Sequence, residues 1–262
     1  MSRGIAIALF VLCACLTLSP AVVAEKYDGE AALATSQAAI GKPLANLAFR
    51  DVHGEVFEIG DLRGRPVVVS LIYTSCHHVC PMITRNIMET SEIARDALGD
   101  NAFSVITIGF DWQVDTPDRM RMYASGHGID VESWHFLSGD EASIAAISGN
   151  VGFQFFPSPK GFDHLSQTTI VDADGIIYRQ VYGQDFGAPA LVEPLKQLVF
   201  NTPRSAGLVE HWVDNFKLFC TVYDPNSGRY RFDYSIFMTI LVGTLCLGAI
   251  AIFVVLEWRH AR

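Results

Sequence analysis

Residues 67–81 read Val67-Val68-Val69-Ser70-Leu71-Ile72-Tyr73-Thr74-Ser75-Cys76-His77-His78-Val79-Cys80-Pro81, and they decide the fold. The apolar, β-branched run up to Thr74 predicts a buried strand. A helix is predicted from about Val79 to Leu98, because apolar residues recur there at helical spacing. Cys76 and Cys80 thus follow the carboxyl end of a buried strand, which is where open α/β sheets bind their ligands.

The two cysteines are four residues apart at the start of the predicted helix. At that spacing two side chains share one helix face, about 5–6 Å apart at Cβ. Such a pair can bind one soft metal ion or close into a disulfide. A helix N-terminus also favours the thiolate form, which both binds metals and attacks disulfides. A structural disulfide or two buried thiols are the plainer alternatives, although structural bridges usually join more distant segments.

Strands and helices alternate along the chain, which predicts one α/β domain over residues 44–204. Besides the strand and helix above, the predicted elements are a hairpin at 46–52 and 55–59, strands at 103–110 and 134–137, helices at 117–126 and 141–149, a hairpin at 167–171 and 176–182, and a helix at 188–200. This order predicts a thioredoxin-like sandwich with an N-terminal hairpin. Residues 25–43 are predicted to be a linker or a weak helix.

The start of the chain predicts export. Residues 1–24 combine Arg3, an apolar stretch and small residues up to Ala24, which is typical of a cleaved signal peptide. An uncleaved anchor and lipidation at Cys15 are the alternatives.

The other end predicts a membrane anchor. Residues 236–256 are uncharged and apolar, and as a helix they would span about 30 Å, the thickness of a hydrocarbon core. We therefore predict a single-pass, C-terminal transmembrane helix in the inner membrane, preceded by a juxtamembrane segment at 205–235. The tail at 257–262 is predicted to be cytoplasmic, so the domain faces the periplasm.

Cysteine usage and charge narrow the possible functions. Two of the six cysteines lie in the predicted signal peptide and Cys246 in the predicted span, so the domain keeps Cys76, Cys80 and Cys220. In an oxidising compartment, accessible cysteine pairs normally form disulfides. A pair this close in the sequence, without a wider disulfide framework, indicates functional and not structural cysteines. The formal net charge of −9 argues against a nucleic-acid partner.

A histidine motif adds a third candidate ligand. Asp163-His164-Leu165-Ser166 precede the strand predicted at 167–171. In a thioredoxin-like arrangement this loop lies beside the cysteine loop, so His164 can approach both sulfurs. Two thiolates and one imidazole suit copper, since soft sulfur selects Cu(I) and imidazole accepts either oxidation state. Taken alone, a histidine in a loop is more often a solvated side chain.

At these residues the chain resembles the Sco/SenC family of membrane-anchored copper proteins. The resemblance covers about residues 40–200 and lies in Cys76-x-x-x-Cys80-Pro81, Asp111 with Asp115-Thr116-Pro117, Asp163-His164-Leu165-Ser166, and the turn at 172–175. It implies a thioredoxin fold and copper bound by Cys76, Cys80 and His164. It also implies a role in building the binuclear copper centre of cytochrome c oxidase subunit II, or a thiol–disulfide reductase that prepares the cysteines of that centre.

Two features depart from the family pattern. The chain has Asp111-Trp112 where the family has Asp-Pro, which predicts a reshaped loop. The usual family anchor is N-terminal, whereas the predicted anchor here is C-terminal and follows an unusual segment at 211–234. The expected partners are subunit II or another copper-site assembly protein, together with the membrane.

Several other residues allow more than one interpretation. His77 and His78 either add a ligand, assist copper transfer, or point elsewhere and only add positive charge near the thiolates when protonated. Asp111 and Asp115 either tune the site or contact a partner, although a helix cap by Asp115 or Thr116 explains them nearly as well. Cys220 is a free thiol, an intermolecular bridge or a secondary copper ligand. The methionines predicted to fill the core rather than bind metal are Met82, Met88, Met120 and Met122.

Three function classes compete at this point. A copper metallochaperone holds the ion transiently and passes it to a partner by ligand exchange. In an oxidoreductase, Cys76 attacks a partner disulfide and Cys80 resolves the mixed disulfide. The His164 motif favours the metallochaperone, because dithiol exchange needs no imidazole. A thiol peroxidase of the same fold is disfavoured, since it would want threonine where this chain has Tyr73.

Overall fold

The computed structural model describes residues 27–201, 221–224, 229–232 and 235–260. The predicted signal peptide and Cys220 lie outside these residues. The described part begins with helix α1 (Gly29–Gln37), which Asp28 caps by accepting hydrogen bonds from the first free backbone amides. Of the two alternatives for this segment, the structure therefore has the helix.

Helix α1 packs against the domain. Ser36 is buried, and its hydroxyl lies 3.0 Å from the hydroxyl of Tyr182. The backbone carbonyl of Ser36 also accepts a hydrogen bond from the side chain of Gln180 at 3.5 Å. Gln180 and Tyr182 both belong to the strand at one edge of the main sheet. The first described helix is therefore joined to that edge of the sheet.

Seven strands form one sheet in the order β2-β1-β5-β4-β3-β8-β9. They are β1 (Ala48–Arg50), β2 (Val56–Glu58), β3 (Val67–Ile72), β4 (Ser104–Gly109), β5 (Trp134–Ser138), β8 (Gln167–Val171) and β9 (Ile177–Tyr182). Strands β3, β4 and β5 are parallel, whereas β8 is antiparallel to β3 and the two hairpins are antiparallel pairs. This is the mixed α/β arrangement that the sequence predicts.

The helices follow the predicted order. They are α2 (Val79–Leu98), α3 (Pro117–Gly126), α4 (Glu141–Val151) and α5 (Ala188–Asn201). Helix α2 has the predicted bounds and packs against α5. Strands β3 and β4 are buried along their whole length, as expected of parallel strands covered on both faces.

The core lies around these central strands. Ile72, Ile106 and Ile108 are fully buried, as is Phe110 directly after β4. Burial of one such side chain stabilises a fold by about 1.5–3 kcal/mol. The buried strands therefore hold in place the cysteine loop that follows β3 and the Asp111–Asp115 segment that follows β4.

A short hairpin that the sequence analysis missed precedes β8. Strands β6 (Phe155–Ser158) and β7 (Gly161–His164) form a separate antiparallel pair. Pro157 interrupts the strand pattern, because proline lacks the amide that a sheet ladder needs. His164 therefore ends a strand, where a loop was predicted.

The last described elements are strands β10 (Thr221–Asp224) and β11 (Arg229–Phe232), which pair antiparallel, and helix α6 (Ser235–His260). Across the described residues, no helix is both long and apolar enough for a membrane crossing. Helix α6 covers residues 236–256, where the sequence predicts a helix; that it crosses a membrane stays a prediction.

Candidate metal and thiol site

The cysteine pair lies between β3 and α2. Tyr73 follows β3, and its carbonyl accepts a hydrogen bond from the Cys76 amide at 3.1 Å. Cys80 is in the first turn of α2, and its amide donates to the Cys76 sulfur at 3.4 Å. Cys76 is half-buried, Cys80 is buried, and both are free thiols. The structure thus brings the two sulfurs together as the spacing predicts.

The two sulfurs differ in charge. The pKa of Cys76 is lowered to about 4, and the largest cause is a hydrogen bond with the Cys80 side chain. Burial opposes this shift, whereas hydrogen bonds with the Cys80 and His78 amides add to it. The same contact with Cys76, together with burial, raises the pKa of Cys80 far above that of an ordinary thiol. At neutral pH the pair is therefore one thiolate, Cys76, that accepts a hydrogen bond from one thiol, Cys80.

Tyr73 supports the thiolate from the other side. Its ring packs edge-on against Phe162, with centroids 5.2 Å apart, and lies 5.3 Å from the ring of Phe110. Burial, with a hydrogen bond to Cys76 next in size, raises the pKa of Tyr73 to about 12. The phenol thus stays protonated and donates to the Cys76 sulfur. Besides disfavouring a peroxidase, the position of Tyr73 at the end of β3 already indicates in the sequence that this residue lies next to the cysteine loop.

His164 lies at the end of β7 in an aromatic surround. Its ring centroid is 5.3 Å from that of Phe153 and 5.6 Å from that of Phe110. Burial lowers the pKa of His164. The hydrogen bond with the Leu165 carbonyl and the charge of Cys76 raise this pKa, but by less. The side-chain Nδ1 lies 3.1 Å from that carbonyl, which can only accept, so Nδ1 carries the proton. Nε2 then keeps the lone pair that a metal needs.

The three predicted ligands are not a closed group. Cys76 is near enough for its charge to act on His164. Yet within the described ranges no three His, Cys, Asp or Glu side chains are grouped so that they could hold a metal ion. The set of Cys76, Cys80 and His164 therefore stays a prediction.

Asp115 fixes the cysteine loop and is not a helix cap. Thr116 caps α3, where its side chain accepts from the Arg119 amide. The buried Asp115 carboxylate accepts hydrogen bonds from Thr74 and from the amide of Asp111. Burial raises the pKa of Asp115, and these hydrogen bonds oppose the shift. Of the two residues predicted as possible caps, Thr116 is thus confirmed and Asp115 is wrong.

The remaining candidates divide by exposure. His77 and His78 are exposed beside the cysteines. Met120 is buried, which confirms its predicted place in the core, and Met88 packs against the core from a partly buried position. Met82 and Met122 are 46% and 59% exposed, so the prediction that they fill the core is wrong. These two lie on helix faces that no other element covers fully.

Trp112 of the Asp111-Trp112 departure lies at the surface next to Asp115; the reshaped loop stays a prediction. Trp112 is 40% exposed and lines an open groove of about 410 Å³. Phe49 and Pro117 contribute apolar walls, and Asp115 lies at the groove as well. The groove and the cysteine loop thus share one buried carboxylate.

Comparison with known proteins gives a consistent result. The sequence model of the SCO1/SenC family matches residues 37–199, which is more than half of the chain. Among curated proteins, the SCO1 protein homolog of Bacillus subtilis (strain 168) is 21% identical over 140 residues, which cover 52% of this chain and 71% of that protein.

Solved structures agree on the fold. A protein of Aquifex aeolicus VF5 superposes with a TM-score of 0.57 at 22% identity, covering 64% of this chain and 99% of the other. Yeast Sco1 with copper bound superposes with a TM-score of 0.51 at 18% identity, covering 66% and 97%. The predicted thioredoxin-like fold is thereby confirmed.

Proposed function

The chain belongs to the SCO1/SenC family, and on that premise we propose that it binds copper and delivers it to the copper site of cytochrome c oxidase. The Sco family is a family of cytochrome c oxidase assembly proteins, and yeast Sco1 has been solved with copper bound. The observation that carries the proposal is the pair of free sulfurs at the end of β3, with a neutral imidazole beside it.

The proposed ligands are Cys76, Cys80 and His164. Two sulfurs and one imidazole are a donor set that copper accepts in either common oxidation state. The Cys76 thiolate binds without losing a proton, whereas Cys80 has to release one as the ion binds. His164 lies on the β6–β7 pair, which is separate from the main sheet.

Anaerobic titration tests the proposal. The reduced full-length chain should take up one copper ion, and Cys76→Ser or Cys80→Ser should abolish tight binding. His164→Ala should mainly weaken it, because two sulfurs remain. Full stoichiometric binding by the variant with both serines would show that the ion binds elsewhere.

The recipient of the copper and the cellular location of the protein are separate proposals, and both rest on the sequence. We propose oxidase subunit II as the recipient and an inner-membrane location with the domain in the periplasm, held by residues 236–256. Tethering near a membrane-bound partner would raise the effective concentration. A reporter enzyme active only outside the cytoplasm should work when fused after Tyr234 and fail when fused after Arg262. Activity of both fusions or of neither would refute this arrangement.

The second candidate function is reduction of a partner disulfide. The charge difference within the pair favours it, since Cys76 is a half-buried thiolate and Cys80 a buried thiol. The Cys76 sulfur would attack one partner sulfur and release the other as a thiolate. Cys80 would then lose its proton and attack Cys76, which leaves a Cys76–Cys80 disulfide and two partner thiols.

The His164→Ala variant separates the two functions in cells. It should remain able to exchange disulfides, because imidazole takes no part in that reaction. If it restores oxidase activity to a deletion strain at ordinary copper levels, disulfide reduction is the main role. If activity returns only with added copper, delivery is the main role.

A further inference from the structure

Copper faces an access problem at the proposed ligands. Cys80 has no exposed surface, and Cys76 is only half-buried above it. An ion arriving from solvent therefore cannot reach both sulfurs at once. Besides the half-buried Cys76, solvent reaches three donors next to the pair in the sequence, at His77, His78 and Met82.

Met82 is out of place for a core side chain. It lies in the first turn of α2 and is 46% exposed, although burial of a methionine favours folding by about 1.5–3 kcal/mol. Its thioether is a soft donor, the kind that selects Cu(I). An exposed soft donor two residues after Cys80 is therefore available to a soft metal ion that arrives from solvent.

His78 is the matching donor. The Met82 amide donates to the His78 carbonyl at 3.4 Å, so the two residues are one helical turn apart. His78 caps α2 without any hydrogen bond from its side chain to the helix. Its exposed imidazole is therefore not used in capping, and the spacing from Met82 is one that His77 lacks.

We propose that His78 and Met82 form a capture site for Cu(I), from which the ion passes inward to the sulfurs of Cys76 and Cys80. This inference rests on the proposed function. The transfer is ligand exchange without electron transfer: bonds from copper to the imidazole and thioether break as bonds to the two sulfurs form. Cys80 releases its proton to solvent in the same step. The net charge of −9 favours approach of the cation.

Loading kinetics test the capture site. The reduced full-length chain is mixed with a Cu(I)–bicinchoninate complex, and the loss of the coloured donor is followed by stopped flow. Met82→Leu and His78→Ala should each slow loading by about tenfold, which corresponds to a barrier higher by about 1.4 kcal/mol. The equilibrium affinity should stay unchanged, because neither residue holds the ion after transfer.

Two variants serve as matched controls. Met122→Leu removes a methionine that is 59% exposed on another helix, and His77→Ala removes an exposed histidine outside the proposed spacing. Both should load at the rate of the unchanged chain. Loading by Met82→Leu at that same rate would overturn the capture site. Loss of equilibrium affinity in Met82→Leu would also overturn it, because Met82 would then be a permanent ligand.

A second measurement separates this inference from the proposed function. The variant with Cys76→Ser and Cys80→Ser lacks the proposed final ligands but keeps the capture site. Added Ag(I), a soft probe ion, should bind it weakly and shift the NMR signals of the Met82 methyl and the His78 ring. No shift at either residue would refute capture. Tight copper binding by this variant would instead refute the proposed ligands.

Discussion

The carboxylate of Asp115 accepts two hydrogen bonds from Thr74, one from its amide at 2.8 Å and one from its hydroxyl at 2.7 Å. A third comes from the Asp111 amide at 3.0 Å. Since Thr74 is two residues before Cys76, this carboxylate joins the segment that follows β4 to the cysteine loop that follows β3. The place of the first sulfur thus depends on a side chain that does not contact it.

Asp115→Asn should lower the free energy of unfolding by about 1–3 kcal/mol, since its amide group leaves at least one buried donor without an acceptor. Urea unfolding measures the loss. Asp118→Asn is the control, because Asp118 is 74% exposed and forms an ion pair with Arg121, a surface contact worth about 0–1 kcal/mol. Equal losses in the two variants would contradict the special role of Asp115.

Cys76 should react with iodoacetamide at a rate that hardly changes between about pH 6 and pH 9, because its pKa of about 4 keeps it a thiolate throughout. Cys80 should stay unlabelled, since it is buried and its raised pKa keeps it a thiol. Mass spectrometry of the digested protein distinguishes the two.

Cys80→Ala tests the cause of that behaviour. It removes the hydrogen bond that contributes most to the low pKa of Cys76, so this pKa should rise and the labelling rate near the acid end should fall. A flat pH profile in Cys80→Ala would mean that the backbone amides and Tyr73 are sufficient to stabilise the thiolate.

Much of the fold could be predicted because its signals are local. The β-branched run before Thr74 and the helical stripe after Val79 fix β3 and α2, whose buried faces match the periodicity. The β6–β7 hairpin was missed because Pro157 breaks the strand pattern and only pairing with β7 reveals it. Residue type also cannot say whether a face is covered: Met82 was predicted to fill the core because methionine commonly fills gaps there, yet it is exposed.

The site was predictable to a smaller extent. Contact between Cys76 and Cys80 follows from their spacing, whereas the approach of His164 depended on the predicted thioredoxin-like arrangement of the loops. The hydrogen bonds between Thr74 and Asp115 join residues 41 positions apart, which no local pattern encodes. The low pKa of Cys76 likewise arises from contacts that exist only after folding.

Copper binding should require the reduced pair. Closing a Cys76–Cys80 disulfide removes both sulfur ligands, and His164 alone cannot hold the ion tightly. The oxidised and reduced chains should therefore be titrated side by side without oxygen, and only the reduced chain should compete with a copper chelator. Equal affinities would place the metal away from the cysteine pair.

Gly161 and Tyr73 give a last test of how the hairpin meets the cysteine loop. Gly161 has φ +114°, and a Cβ there would lie 2.7 Å from the Tyr73 hydroxyl. Gly64 has φ +93° with nothing within 4 Å of such a Cβ. Alanine at either position should cost about 1–3 kcal/mol of stability from backbone strain alone.

Only Gly161→Ala should also move the Tyr73 hydroxyl away from the Cys76 sulfur. The loss of that hydrogen bond should raise the pKa of Cys76, so labelling by iodoacetamide should slow near the acid end in Gly161→Ala and not in Gly64→Ala. Combining Gly161→Ala with Tyr73→Phe removes the clashing hydroxyl, and the two changes should then be non-additive in stability, as expected of residues in contact. Additive effects, with unchanged labelling in Gly161→Ala, would show that the hairpin does not act on the thiolate through Tyr73.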